Sequence, residues 1–151
     1  MSPPPPDAPK QKLDRGVAKR WTPAIASAGW TPVSDVFLLN YHRLKPEMTS
    51  AEAMFVIQLM HHKRDESPPY PGFRNIAKRM AVGVGTARAY ARSLETKKYL
   101  LREKRVQETN KFHLEPLFEA IEELMATDAS KAKSRSKGSK VPSGAATDSA
   151  S

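Results

Sequence analysis

The chain of 151 residues contains no cysteine. That removes disulfide frameworks and thiolate zinc sites, and it suits a reducing compartment. No apolar run approaches the ~18–20 residues that a membrane-spanning helix needs. The opening stretch "MSPPPPDAPKQKLDRG" is polar and proline-rich and lacks the apolar segment of a secretory signal. There is no phosphate-cradling glycine loop followed by Lys-Ser/Thr, and "GVG" at 83–85 is too short to count. No nucleophile stands with a paired base. These absences set the expectation of a cytoplasmic protein with no membrane partner that is not an enzyme and uses neither cofactor nor metal.

What the chain has is positive charge, unevenly placed. The formal net charge is +9, which points to an anionic partner. Residues 71–111 hold eleven basic and three acidic side chains, whereas 21–70 and 112–125 together hold four basic and nine acidic. One basic stretch on an otherwise acidic body is better evidence for a nucleic-acid face than the whole-chain total. The expected organisation is a disordered, proline-rich and basic arm at 1–27, a folded unit at 28–126, and a disordered basic tail at 127–151. The ends are open to a protein partner, to added phosphate attraction, or to a merely solubilising role.

Within the folded unit, Ser34 is placed to cap a helix reaching about Tyr41, with Val36, Phe37, Leu39 and Leu44 turned to the core. Thr49 and Glu52 form a capping-box signature for a helix over 50–63, whose apolar side is read as Ala53, Met54, Ile57, Leu59 and Met60. "SPPYPG" forces a loop. Phe73, Ile76, Ala77 and Met80 mark one face of a short helix. The glycines of "AVGVG" offer the freedom for a sharp turn, and Ala87, Tyr90, Ala91 and Leu94 resume helical spacing. "YLLREKRV" and "KFHL" read as two strands of a hairpin, with Asn110 suited to a left-handed position. Pro116 opens a last helix with Leu117, Ile121, Leu124 and Met125 on one stripe. The fold class is therefore mainly α with a small β-hairpin wing.

Residues 72–114 resemble the winged helix-turn-helix domains of bacterial, phage and plasmid DNA-binding proteins. "FRNIAKRMAVGVGTARAYARSLETKKYLL" resembles their apolar template and "REKRVQETNKFHL" fits the wing. The upstream "GWTPVSDVFLLNYHRLKPEMTSAEAMFVIQLM" resembles the segment that precedes this motif in phage replisome organisers and plasmid replication initiators. Two positions depart from the pattern: Gly83 stands where a Ser or Thr cap is usual, and Lys98 where a glycine commonly ends the second helix.

The resemblance implies double-stranded DNA as the partner, with the helix at about 84–97 in the major groove. Val84, Thr86, Arg88, Ala89, Arg92 and Ser93 would then face base edges, an Arg fork being able to pair with guanine. Arg74, Lys78, Arg79, Lys97, Arg102, Lys104, Arg105 and Lys111 would meet phosphates. Such domains usually act as dimers. The last helix, through Leu117, Phe118, Ile121, Leu124 and Met125, is either a dimer surface or packs on its own domain.

Other candidates are blander. His61 and His62 point about 100° apart on a helix, and His42 and His113 are isolated. Glu119, Glu122 and Glu123 read as a solvated acidic edge, and Trp30 as core. The leading expectation is a sequence-selective transcriptional regulator. The alternatives are a plasmid or phage protein of replication initiation or segregation, and a winged helix used only for protein contacts.

Overall fold

The structure, a computed structural model, describes residue 16, residues 19–63 and residues 65–138. Most of the expected N-terminal arm, and the expected tail from 139 onward, lie outside the described residues. The chain divides into two units between Pro32 and Val33, five residues later than the boundary read from composition. In the first unit a short helix, α1 (Pro23–Ala28), starts at Thr22, whose hydroxyl accepts the Ile25 N–H at 3.3 Å. Pro23 occupies the first turn, where its missing N–H has no partner to lose. Trp21 is exposed, and Trp30 is half-buried.

The second unit carries α2 (Asp35–Asn40), a 3-10 turn (Tyr41–Arg43), α3 (Ser50–His62), α4 (Phe73–Met80), α5 (Val84–Thr96), β1 (Leu101–Glu103), β2 (Lys111–His113) and α6 (Glu115–Gly138). It is mainly helical, with one two-stranded antiparallel hairpin among the described residues. The strands are shorter than "YLLREKRV" and "KFHL" suggested, pairing only Leu101 with His113, Arg102 with Phe112 and Glu103 with Lys111.

Helix α3 is the centre of the unit, packing against both α4 and α5. Its capping box is complete: the Thr49 hydroxyl accepts the Glu52 N–H, and the Glu52 carboxylate accepts the Thr49 N–H. Because neighbours lie on more than one side, its buried arc is wider than a one-sided stripe. Phe55 and Val56 are buried with Ala53 and Leu59, while Met54 is exposed. A similar correction applies to α2, where Phe37 is buried but Leu39 is 62% exposed. The Phe112 ring of β2 meets Phe55 and Phe73 edge-on, at centroid distances of 6.2 and 5.6 Å. This one side chain ties the hairpin to α3 and α4, and full burial of such a ring contributes about 1.5–3 kcal/mol. Leu117 and Ile121 place α6 against the same core. That helix runs on to Gly138 rather than stopping near 126, in a segment where Ala129, Ala132, Lys131, Lys133 and Arg135 are good helix formers. Arg43 grips it with a two-pronged contact to Asp128, at 2.9 and 2.8 Å.

The turn between α4 and α5 works differently from the glycine reading. Gly83 has an ordinary φ of −72 and caps α5 through its backbone alone. The left-handed residue is Ala81, at φ 56, with Val82 N–H bonded to Ala77 O and Ala81 N–H to Lys78 O. Helix α5 ends in the same way: Lys98 takes φ 65, with Tyr99 N–H to Leu94 O and Lys98 N–H to Glu95 O. Both are Schellman endings, a motif that glycine usually supplies at no steric cost. The departure at Lys98 is thus one of residue type and not of backbone. In the hairpin loop the left-handed position is Gln107, at φ 61, and not Asn110.

The exit of α5 is also held by charge. Glu52 is 2% exposed, and its Oε1 accepts from Lys97 Nζ at 2.6 Å. The same ammonium reaches Glu47 O at 2.7 Å, and the Tyr99 hydroxyl donates to Pro46 O. Burial pushes the Glu52 carboxyl up, but hydrogen bonds from Lys97, Ser93 and Thr49 outweigh it and hold the group below its ordinary 4.5.

Replacing Lys98 by glycine removes the left-handed penalty and raises unfolding stability by about 1 kcal/mol, read as a higher urea midpoint; no gain would mean that the φ is not held. Lys97→Ala strands a buried carboxylate and lowers stability by about 3 kcal/mol, whereas Lys78→Ala stays within about 0.5 kcal/mol. Because the folded-state value of Glu52 is depressed, its contribution is complete above the unfolded value and is lost as pH falls through the folded one. Urea midpoints measured downward from about pH 4.5 fall more steeply in the parent than in Glu52→Gln.

Candidate nucleic-acid interface

The exposed sides of α4 and α5 form the basic face. Helix α4 carries Arg74, Lys78 and Arg79 outward because Ile76 and Ala77 fill its inner side. Helix α5 buries Ala87, Ala91 and Leu94, which leaves Thr86, Arg88, Ala89 and Arg92 exposed and Val84 and Ser93 half-buried. All six expected base-facing residues lie on one helix. Its narrow contact stripe is made of two alanines and a leucine, so α5 can lie close to its neighbours.

The cations of this part of the chain fall into two groups. Among the described residues, Arg74, Lys78, Arg79, Arg88 and Arg92 form no ion pair, Arg79 instead donating to Gln58 Oε1 at 2.6 Å. Three of the expected phosphate ligands are already engaged with acids. Lys97 holds Glu52, Arg102 pairs with Glu95 at 2.9 Å, and Arg105 pairs with Glu108 at 2.7 Å. Arg105 also donates to Thr109 O at 2.7 Å and braces the hairpin loop. Lys104 is exposed and Lys111 half-buried.

Between the starts of α4 and α5 and the hairpin loop lies an open cleft of about 410 Å³. Residues 71–74, Val84, Arg88 and residues 108–110 line it. The guanidinium groups of Arg88 and Arg102 lie 5.7 and 5.5 Å from the centroid of Phe73. Arg88 therefore rests at the cleft as well as on the outer face of α5. Tyr70 stands next to the cleft, 61% exposed. Sequence reasoning missed Tyr70, Phe73 and Glu52 as features of this region. Tyr70 was hidden in a proline-rich loop, and the Glu52 partner is 45 residues away.

The stripe on α6, open in the sequence to a dimer surface or to packing on its own domain, packs on its own domain. Leu117 and Ile121 are buried in the core of their own unit, Phe118 and Leu124 pack against that core, and only Met125 is exposed, at 49%. The stripe spacing was right, but the domain itself occupies it. On the hairpin, the His113 ring contacts Glu103 at 3.0 Å and Glu115 at 3.7 Å. The hydrogen bond from His113 is the main reason the Glu103 carboxyl lies below its ordinary value. His61 and His62 meet edge to face at 4.9 Å. No described helix is long and apolar enough to cross a membrane.

No curated protein matches the chain. Among solved structures, the crystal structure of the N-terminal domain of DnaD protein from Geobacillus kaustophilus HTA426 superimposes with a TM-score of 0.58 at 21% identity. The match covers 80% of this chain and 97% of that one, so the two share a fold. The model of the DnaD N-terminal domain matches residues 33–133. Its first residue coincides with the division of the chain after Pro32, and its last lies within the extended part of α6. With two thirds of its length matched, the chain belongs to the DnaD N-terminal domain family.

Proposed function

We propose that the domain is a winged helix-turn-helix that binds double-stranded DNA in replication initiation, and that it works by binding and not by catalysis. Membership of the DnaD N-terminal domain family, a replication-related one, favours this role over transcriptional regulation. In this reading α5 enters the major groove, with Arg88 and Arg92 one turn apart on its outer side and Thr86 and Ala89 beside them. Arg74, Lys78 and Arg79 on α4 take backbone phosphates, and Lys104 and Lys111 on the hairpin reach the flanking backbone.

One observation carries the reading. Three cations that brace the unit, Lys97, Arg102 and Arg105, have acids, while Arg79 bonds only the neutral Gln58. The five cations on the outer side of α4 and α5 have no such acid among the described residues. Unpaired positive charges packed side by side repel one another, and a phosphate backbone relieves that repulsion by displacing counterions.

Five phosphate contacts imply a slope of about −4.5 for log affinity against log salt, near −0.9 per contact. Lys78→Ala makes that slope shallower by about one contact, while Arg43→Ala, on a cation already held by Asp128, leaves it unchanged. Fluorescence anisotropy with a labelled duplex across a salt series reads both. Duplex binding that is insensitive to salt, or absent, would favour a domain used for protein contacts instead.

A further inference from the structure

The hairpin side of the basic face carries an aromatic ring that duplex binding does not use. Of the four tyrosines, Tyr41 and Tyr90 are half-buried and Tyr99 is buried, whereas Tyr70 is 61% exposed. Its backbone is not loose. The neighbouring prolines Pro69 and Pro71 are buried, Pro69 O accepts the Phe112 N–H at 2.8 Å, and Tyr70 O accepts the Thr109 hydroxyl. The loop is thus pinned to the hairpin at consecutive residues, and the ring is presented to solvent. Over it, at 5.4 Å from the centroid, lies the Arg105 guanidinium, itself held by Glu108 and Thr109 O.

A fixed aromatic ring with an arginine stacked on it is a platform for an unpaired base, and it is tolerant of sequence because every base presents a π-face. The cleft opens at the very next residue. At about 410 Å³ it falls in the range of small-ligand sites. Arg74 and Arg88, both without an ion pair among the described residues, stand on its walls, and the Asn110 amide at its rim can both donate and accept.

We infer that Tyr70 and this cleft seat one unpaired deoxynucleotide, its base on the ring and its sugar-phosphate at the cleft rim beside the Asn110 amide, next along the strand from the duplex that Arg74 and Arg88 hold. The domain therefore binds a junction of duplex and single strand more tightly than a blunt duplex. The preference for a junction rests on the duplex-binding reading for its duplex half; the seat for the unpaired base does not.

The test uses the full chain and three labelled probes: a blunt duplex, the same duplex with a short 5′ or 3′ overhang, and the single strand alone. The first unpaired base is 2-aminopurine, whose fluorescence falls when it stacks on an aromatic ring. The junction is expected to bind about tenfold more tightly than the blunt duplex, with quenching. Tyr70→Ala abolishes both the excess affinity and the quenching, Tyr70→Trp keeps them, and neither changes blunt-duplex affinity. Thermal melting of each variant checks that this exposed position leaves the fold intact. Equal affinity for junction and blunt duplex, unchanged by Tyr70→Ala, would overturn the inference while leaving duplex binding standing; it would also turn attention to a protein partner for the ring. Tyr70-dependent binding of the overhang without binding of the blunt duplex would support the inference and contradict the proposed duplex function. Binding to none of the probes would overturn both.

Discussion

The buried contact between Glu52 and Lys97 sets the geometry on which the basic face depends. One carboxylate, closed off from water at the start of α3, receives both the Thr49 N–H and the ammonium that follows α5. The ammonium continues to Glu47 O, and the Tyr99 hydroxyl fastens the next turn of chain to Pro46 O. The end of α5 is thereby stitched to the entry of α3 by groups that tolerate little displacement. A buried ion pair adds little net stability compared with a hydrophobic contact, but its loss leaves an uncompensated charge. Here it fixes the end of α5 to the entry of α3 in the orientation seen. With Ala87, Ala91 and Leu94 inward, that orientation turns Arg88 and Arg92 out.

The same economy of acids explains why the positive charge is concentrated on one side. The three acidic residues of the 71–111 stretch are Glu95, Glu103 and Glu108. Glu95 and Glu108 hold Arg102 and Arg105, and Glu103 holds His113. All three pairs lie on or beside the hairpin, which they brace. Glu95 stands on α5 beyond Arg92, and Arg102 lies over Phe73 of α4, so these pairs border the basic face. None of the three acids pairs with Arg74, Lys78, Arg79, Arg88 or Arg92. Elsewhere in the unit, Arg43 is held by Asp128 of α6, whose hydrogen bond raises the guanidinium and keeps the carboxyl low.

Much of this arrangement was legible in the sequence, and the parts that were not share a physical cause. Local signals survived: the capping box at Thr49 and Glu52, the stripe of Ala87, Ala91 and Leu94, the turn near Ala81, and the hairpin order. What failed was whatever depended on a neighbour distant in sequence. Periodicity cannot say that α3 is flanked on more than one side, so Phe55 and Val56 were left out of its core. Charge counting cannot say that Lys97, Arg102 and Arg105 have acids waiting for them. The stripe on α6 was visible, but nothing in it could say whether Leu117 and Ile121 would meet a second copy or their own domain. The glycine rule misled in the turn because Ala81 and Lys98 accept a left-handed backbone when a Schellman pair of hydrogen bonds supports it. Tyr70 escaped notice because its loop reads only as a break between helices.

The central claim is that the outer side of α4 and α5 is the surface that meets DNA. Backbone amide chemical-shift mapping tests it most directly, by titrating a short duplex into labelled protein at moderate salt. The account expects shifts concentrated in 73–96 and in the hairpin loop at 104–111, with α2 and residues 115–138 quiet. Shifts concentrated on α6 around Met125, or on the exposed Leu38 and Leu39 of α2, with 73–96 unmoved, would contradict it.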